Sequence, residues 1–362
     1  MAKSEEYSLG PHTFPRGWFV VAESTELNRG PMAVHFFGKD LALYRGESGV
    51  PVMLDAYCPH MKTHLTASDS ANIVIVGKQI EGDSIRCPYH GWRFGPDGRC
   101  DNIPYHDGPI PRSAVLESYP VEESMGCVMM WYDPEGRKPD YSAPYLQEWS
   151  DPQWIHWKLD HLGELAMHPV EILDNMADAQ HLGPTHGAPC EYFETEFRDH
   201  LYVQRQGGVH AGYGCMLMSS TWYTGPGILL SKQSFGDVLT YELIANTPVD
   251  DGLVKVWHGA LSRASNIPPT ESDIAGAREI QAGALKAFSS DFSIWKHKKP
   301  ALRVLQIASD GQFAKGRIWY KQFYDQPENA GGYHEKVNGK HHVKGLETPS
   351  FEVLALEEGL IQ

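Results

Sequence analysis

A chain of 362 residues is long enough for about two domains, each able to bury its own core. With 41% hydrophobic and 21% charged residues it reads as a folded soluble protein, which excludes extended disorder. Its formal charge of −15, from 31 basic and 46 acidic residues, argues against nucleic acid or an anionic membrane as partner, because phosphate binding needs a basic face.

The start, Ser4-Glu5-Glu6, is polar and acidic, unlike a secretory signal, and no apolar run approaches the ~20 residues of a membrane span. Residues 15–135 read as short strands broken by turns, among them 18–22, 33–37, 41–44, 73–76 and 126–132. This is an all-β module. The polar Pro/Gly stretch 133–139 marks a boundary, giving expected domains of residues 1–138 and 139–362. In the second, residues 171–182 form a helix candidate that ends at Gly183-Pro184. Residues 201–262 hold longer strand candidates, including 239–244 and 253–257. Pro268-Pro269-Thr270-Glu271-Ser272-Asp273 opens a long helix that runs to about Trp295, with prolines and acids where a helix N-terminus favours them. The whole is α+β: an all-β domain, then a helix-grip-like domain with a curved antiparallel sheet against helices. There is no GxGxxG and no P-loop, so no nucleotide of its own is expected. Six cysteines are spread too thinly for a disulfide scaffold, which points to a cytoplasmic setting, and Cys100, Cys127, Cys190 and Cys215 are assigned to inert packing.

Cys58-Pro59-His60 is followed, after 26 residues, by Cys87-Pro88-Tyr89-His90. Each half offers one thiolate and one imidazole from a proline-marked loop. Such a set can hold zinc tetrahedrally, or a [2Fe–2S] cluster with two cysteines on one iron and two histidines on the other. Zinc fingers pair Cys with Cys and His with His; mixed C-x-H and C-x-x-H loops suit two facing loops that each serve both irons. With the flanking His90-Gly91-Trp92-Arg93-Phe94 and Pro96-Asp97-Gly98, the pattern resembles the Rieske [2Fe–2S] signature. The resemblance implies Cys58 and Cys87 on the inner iron, and His60 and His90 on the outer one. Two features depart from the family. The inter-ligand gap is longer, with residues 68–82 expected as an added hairpin, and Lys62 stands where the family has glycine.

A second constellation lies at Asp178, His181 and His186. Asp178 and His181, three apart, would share a helix face, and a break at Gly183-Pro184 would turn His186 back towards the same centre. Two histidines plus a later carboxylate make the facial triad of non-haem Fe(II). Preceded by Asn175 and placed after the first motif, this stretch resembles the mononuclear iron motif of Rieske oxygenases, which implies His181 and His186 as iron ligands and Asp178 as a bridging acid. The resemblance implies a third ligand from a helix with an Asp before an Ile-Trp pair, which Asp291 fits; on that helix it shares a face with Phe288 and Trp295, where an acid is costly to bury unless paired or metal-bound. Asp273, a helix N-terminal acid, is the weaker alternative.

The resemblance covers residues 15–325 and implies the terminal oxygenase of a multicomponent monooxygenase. It would use one [2Fe–2S] Rieske cluster and one mononuclear Fe(II). Electrons from NAD(P)H would arrive indirectly, through a ferredoxin and/or flavin reductase. It also implies a head-to-tail homotrimer in which Asp178 links a cluster histidine, His90, to His181 across the interface. The pattern is most similar to the group of 3-ketosteroid 9α-hydroxylase and cholesterol 7-desaturase, which implies hydroxylation of a small apolar polycycle, a steroid, with O2 as co-substrate. Oxygenation or O-demethylation of an aromatic acid on the same scaffold is the alternative substrate reading, and a Rieske electron-transfer protein the alternative of a different class. Met216, Met218, Trp222, Tyr223, Ile228, Leu229 and Leu230 are candidates for an apolar pocket or for core. The tail 326–362, with His341-His342, reads as solvated surface or subunit contact.

Overall fold

A computed structural model describes residues 2–355 and divides them between two units, Trp18 to Ala143 and residues 2–17 with 144–355. After one helical turn, α1 (Ser4–Tyr7), the smaller unit carries β1 (Gly17–Glu23), β2 (Met32–Phe36), β3 (Lys39–Arg45), β4 (Pro51–Asp55), the helical turn α2 (Asn72–Ile75), β5 (Ile80–Glu81), β6 (Ser84–Arg86), β7 (Arg93–Phe94), β8 (Cys100–Asn102), β9 (Ser118–Tyr119), β10 (Val121–Ser124) and β11 (Cys127–Tyr132). They form three sheets, β1-β11-β10, β2-β3-β4-β9 and β5-β6-β7-β8. The second and third share a core in which Tyr44, Leu54, Leu65, Ile85 and Phe94 surround Cys58 and Cys87.

The run 73–76 is not a strand and residues 68–82 are not a simple hairpin. Residues 72–75 make one turn of helix, Gly77 ends it at φ 66°, and Ile75 and Val76 are exposed. Only Ile80–Glu81 pairs, with Ser84–Arg86. Four apolar residues carry no period that separates strand from helical turn, and here no strand runs beside them.

The larger unit is built on one antiparallel sheet: β12 (Trp154–Ile155), β13 (Asp160–Leu165), β14 (Tyr192–Arg198), β15 (Leu201–Val209), β16 (Met216–Thr224), β17 (Ile228–Phe235), β18 (Val238–Asp250), β19 (Leu253–Arg263) and β20 (Gly339–His342). The order is β12-β19-β18-β17-β16-β15-β14-β20, with β13 also beside β19. Helices α3 (Pro169–Leu173), α4 (Leu182–His186), α5 (Glu271–Trp295), α6 (Phe313–Lys321) and α7 (Ala330–Val337) complete it. α5 starts at Thr270, whose hydroxyl accepts the Asp273 N–H while the Asp273 carboxylate accepts the Thr270 N–H. It packs against β19, and Phe288, Phe292 and Trp295 share a core with Leu165, Val254 and Val256. Each such buried side chain contributes about 1.5–3 kcal/mol.

Residues 2–17 belong to this larger unit, not to the β module with which the sequence pattern grouped them. Leu9 is buried beside Tyr202, Trp319 and Tyr324, and the Ser4 N–H and hydroxyl both donate to Asp251, at 2.9 and 3.0 Å. The tail also corrects its expectation in part: β20 pairs with β14 at the sheet edge, and His341 Nε2 sits 2.9 Å from the Val337 carbonyl. Residues 356–362 lie outside the described residues.

Candidate metal centres

The first centre is two loops on one pattern. One leaves β4 and presents Cys58 and His60; the other joins β6 to β7 and presents Cys87 and His90. The Lys62 N–H donates to the Cys58 carbonyl at 2.9 Å, and the Gly91 N–H to the Cys87 carbonyl at 3.0 Å. The cysteine N–H groups close the loops on the carbonyls of Thr63 and Trp92. Both sulfurs are buried, while His60 is exposed and His90 half-buried. The imidazoles meet edge to face at 4.6 Å between ring centres, and Trp92 stacks on His60 at 4.6 Å and 7°. Trp92 belongs to the flank that carries the resemblance in sequence; its stacking on His60 is what the sequence did not disclose.

These donors fit an iron–sulfur cluster. The Cys58 thiol donates to the Cys87 sulfur; that bond holds Cys58 well above the ordinary thiol range and lowers Cys87. Metal binding takes both sulfurs as thiolates. His90 Nδ1 is buried with no hydrogen-bond partner among the described residues, a donor atom waiting for a ligand. Two inner sulfurs and two outer imidazoles are the set that separates the two irons of a Rieske cluster.

The second centre lies in the larger unit, and its backbone differs from expectation. Residues 171–182 are not one helix. α3 stops at Leu173, a 3₁₀ turn spans Asp174–Ala177, and the chain breaks at Asp178 before α4. Gly183-Pro184 lies inside α4 instead of breaking a helix, because a first helical turn has no use for the N–H that proline lacks. The break is made by Asp178, whose Oδ1 accepts the N–H groups of Gln180 (3.1 Å) and His181 (3.2 Å). The turn before it is held by Arg317 on α6, paired to both oxygens of Asp174 at 3.0 and 2.5 Å.

The result still gathers the three side chains. One ligand atom each from His181, His186 and Asp291 lie within 4.8 Å of one another, the one such group of three or more His, Cys, Asp or Glu among the described residues. His186 Nε2 is 3.4 Å from Asp291 Oδ1, and the two imidazoles are edge to face at 5.2 Å. Asp291 is 6% exposed, between Phe288 and Trp295 on α5. His181 Nδ1 lies 2.6 Å from the Asp178 carbonyl, which fixes the ring and leaves Nε2 for the centre. Burial disfavours the His181 cation, but the hydrogen bond and charge of Asp178, with the charge of Asp291, outweigh it and raise the pKa. Burial would likewise raise Asp178, yet its bonds to His181 hold the carboxyl below the usual range. Two histidines and one carboxylate around a point fit a ferrous ion with open positions. Asp273 takes no part; Thr270, Asn266 and Ser265 hold it at the helix start.

A cavity of about 500 Å³ opens on this group. Its walls include Asn175, Met176, Trp295 and the small residues Gly283, Ala284 and Ala287 of α5. Of the pocket candidates, Tyr223 and Leu229 line it. Trp222, Ile228 and Leu230 are buried on the opposite face of their strands, since side chains alternate. Their places on the cavity side are taken by polar residues that sequence reasoning missed, among them Thr221, Ser231 and Glu242.

The sequence matches the Rieske [2Fe-2S] domain over residues 17–120 and the 3-ketosteroid 9alpha-hydroxylase C-terminal domain over residues 130–324. It is 30% identical over 343 residues to the 3-ketosteroid-9-alpha-monooxygenase oxygenase component of Rhodococcus rhodochrous, covering 90% of this chain and 87% of that one. It is 30% identical over 354 residues to the cholesterol 7-desaturase of Caenorhabditis elegans, covering 87% and 78%. In fold it is similar to Pseudomonas putida CBB5 NdmA with caffeine, at TM-score 0.68 and 17% identity over 93% of this chain and 97% of that one. It is also similar to dicamba monooxygenase bound to dicamba, at TM-score 0.62 and 18% identity over 87% and 98%.

Proposed function

The chain belongs to the 3-ketosteroid 9α-hydroxylase family of Rieske oxygenases, and from that premise we propose that it hydroxylates a steroid-sized polycycle as the terminal oxygenase of a multicomponent monooxygenase. The observation that carries the reading is the cavity of about 500 Å³ with His181, His186 and Asp291 in its wall, a volume in the range of small-molecule sites. Cys58, His60, Cys87 and His90 would hold the cluster, and His181, His186 and Asp291 the mononuclear iron. When bound, the cluster passes single electrons and the ferrous ion binds and reduces dioxygen.

The chain's own residues do the rest. The Asp178 carbonyl orients His181, and the Asp178 carboxylate, a third exposed, keeps Oδ2 3.8 Å from the same ring. In a head-to-tail trimer that carboxylate would receive His90 of the partner subunit and couple the two centres. Electrons would come from NAD(P)H through a ferredoxin or flavin reductase. Among the described residues the lining includes the acids Glu242 and Asp291 and no lysine or arginine, which disfavours a carboxylate-bearing aromatic substrate. The catalytic domain matched over residues 130–324 is superfluous to an electron carrier.

Iron and labile-sulfide analysis should find about three irons and two sulfides per chain. A substrate-depletion screen with a generic ferredoxin and reductase, over steroids and aromatic acids, should consume a steroid. Consumption of aromatic acids alone would overturn the reading.

A further inference from the structure

The cavity has two unlike walls. One is the stripe of α5 that carries Ile280, Gly283, Ala284, Ala287 and Phe288, hydrocarbon apart from Asp291 further along. The other is the sheet, where the residues facing the cavity are polar in two cross-strand rows. Gln204, Thr221, Ser231 and Glu242 are register partners in turn across β15, β16, β17 and β18. Gln206, Ser219, Gln233 and Thr240 form the second row.

These are costly groups to bury. Gln204 is 7% exposed and Ser219 5%, and neither side chain has a hydrogen-bond partner among the described residues. Thr221 and Ser231 share one hydrogen bond of 2.7 Å, and Ser231 also accepts from the Gln233 amide at 3.2 Å, so of the two hydroxyls Thr221 keeps the larger capacity for a further partner. Glu242, 8% exposed, is supported from behind by His258, whose Nε2 is 2.9 Å from Oε1, while Asp160 lies 2.9 Å from His258 Nδ1. Gln233 donates to the other Glu242 oxygen, and Gln281 to Asp160 at 2.8 Å. His258 is fully buried between two acids, so the relay holds Glu242 rigidly at the cavity wall. A carboxylate accepts hydrogen bonds and donates none, so it asks for a donor.

We propose that this wall reads hydroxyl groups and that the substrate is a facially amphiphilic polycycle, with hydroxyls along the face that meets Gln204, Thr221, Ser231 and Glu242 and bare hydrocarbon against α5. The inference rests on the steroid-class reading above and narrows it. A hydroxyl both donates to Glu242 and accepts from the Gln204 amide. A ring system without hydroxyls leaves those buried groups unpaired, the situation in which a polar site rejects an analogue most strongly.

The test is calorimetric titration of the purified holoenzyme with two neutral epimers. Methyl chenodeoxycholate has both ring hydroxyls on one face; methyl ursodeoxycholate has one turned to the other. Androst-4-ene-3,17-dione is the hydroxyl-free comparison. The first ligand is expected to bind at least about tenfold more tightly than either of the others. Thr221→Val, which keeps the shape, and Glu242→Gln, which keeps an acceptor for His258, should each shrink that ratio, with a single cooperative thermal unfolding transition and the visible cluster spectrum retained. Either variant suffices if the other fails to fold. Equal affinity for the two epimers, or a ratio that both variants leave intact, overturns the hydroxyl reading and leaves the oxygenase assignment standing. Binding of none of the three overturns the steroid-class reading instead.

Discussion

Lys62 and Gly91 occupy equivalent places in the two cluster loops: each donates its N–H to the carbonyl of the cysteine four residues before it, and each is left-handed, at φ 56° and 74°. Glycine takes that conformation freely, whereas a lysine there carries about 1–2 kcal/mol of strain. Lys62→Gly relieves the strain but loosens the unfolded chain, so a net change between zero and about 1 kcal/mol in favour of folding is expected. Gly91→Ala should cost about 1–2 kcal/mol, because its Cβ would also meet Pro104 Cγ at 3.0 Å. Denaturant unfolding of both variants checks the asymmetry; equal effects of the same sign would remove the equivalence of the loops.

Histidine ligation at His60 and His90 has an electrochemical signature. Replacing either by cysteine exchanges a neutral ligand for an anionic one and should lower the cluster potential by about 100 mV or more, towards the all-cysteine range. Voltammetry and EPR read the change, and spectra unaltered in both variants would sink the ligand assignment.

Asp178→Asn keeps the shape that caps Gln180 and His181, since the amide oxygen still accepts their N–H groups. Iron content and melting temperature should therefore hold, while turnover falls at least about a hundredfold through the lost charge between the centres. A variant that retained most of its activity would take the acid out of the electron route.

What the sequence discloses and what it hides follow from the range of the interactions. Cys58/His60 and Cys87/His90 are legible because each ligand pair sits within four residues, and the start of α5 because Thr270 and Asp273 cap it locally. The fold of residues 169–186 is hidden because it is decided by Arg317, 143 positions beyond Asp174. The cavity wall is hidden for a different reason. In β16 and β17 the apolar Trp222, Ile228 and Leu230 fill one buried face, so the polar alternates Thr221 and Ser231 read as solvent-facing when they line a cavity. The attachment of residues 2–17 to the larger unit rests on contacts such as Ser4 with Asp251, which no local pattern announces.

One such contact makes stability depend on acid. His168 is 2% exposed; its Nδ1 accepts the Val170 N–H at 3.2 Å, so Nε2 carries the proton towards the Ser4 hydroxyl at 3.0 Å. Burial, helped by the charge of Arg317, pushes its pKa down from 6.5 to about 3. The unfolded chain therefore takes up the proton first, and acid favours unfolding. Stability from this residue is complete above pH 6.5 and declines by about 1.4 kcal/mol per pH unit below it, until the folded pKa near 3 is reached. His168→Gln, which cannot titrate, should flatten the slope of unfolding free energy between pH 6.5 and 5, above the range in which most carboxylates protonate. An unchanged slope would exclude His168 as its source.

The strongest demand falls on Asp291, because 109 residues separate it from His181 and no local spacing ties the two. The residue is 6% exposed, and its carboxyl faces His186 Nε2 at 3.4 Å and is flanked by Phe288 and Trp295. An acid so buried costs several kcal/mol unless a cation answers it, and two imidazoles without a carboxylate hold Fe(II) weakly. Ligation resolves both. Asp291→Ala should leave the cluster spectrum intact, reduce bound iron from about three to about two per chain and stop hydroxylation. Asp273→Ala should do none of this, since that carboxylate is spent on the N–H and hydroxyl of Thr270, and its loss costs only the helix cap, about 1 kcal/mol. If the Asp291 variant kept its mononuclear iron while the Asp273 variant lost it, the third ligand would be misassigned.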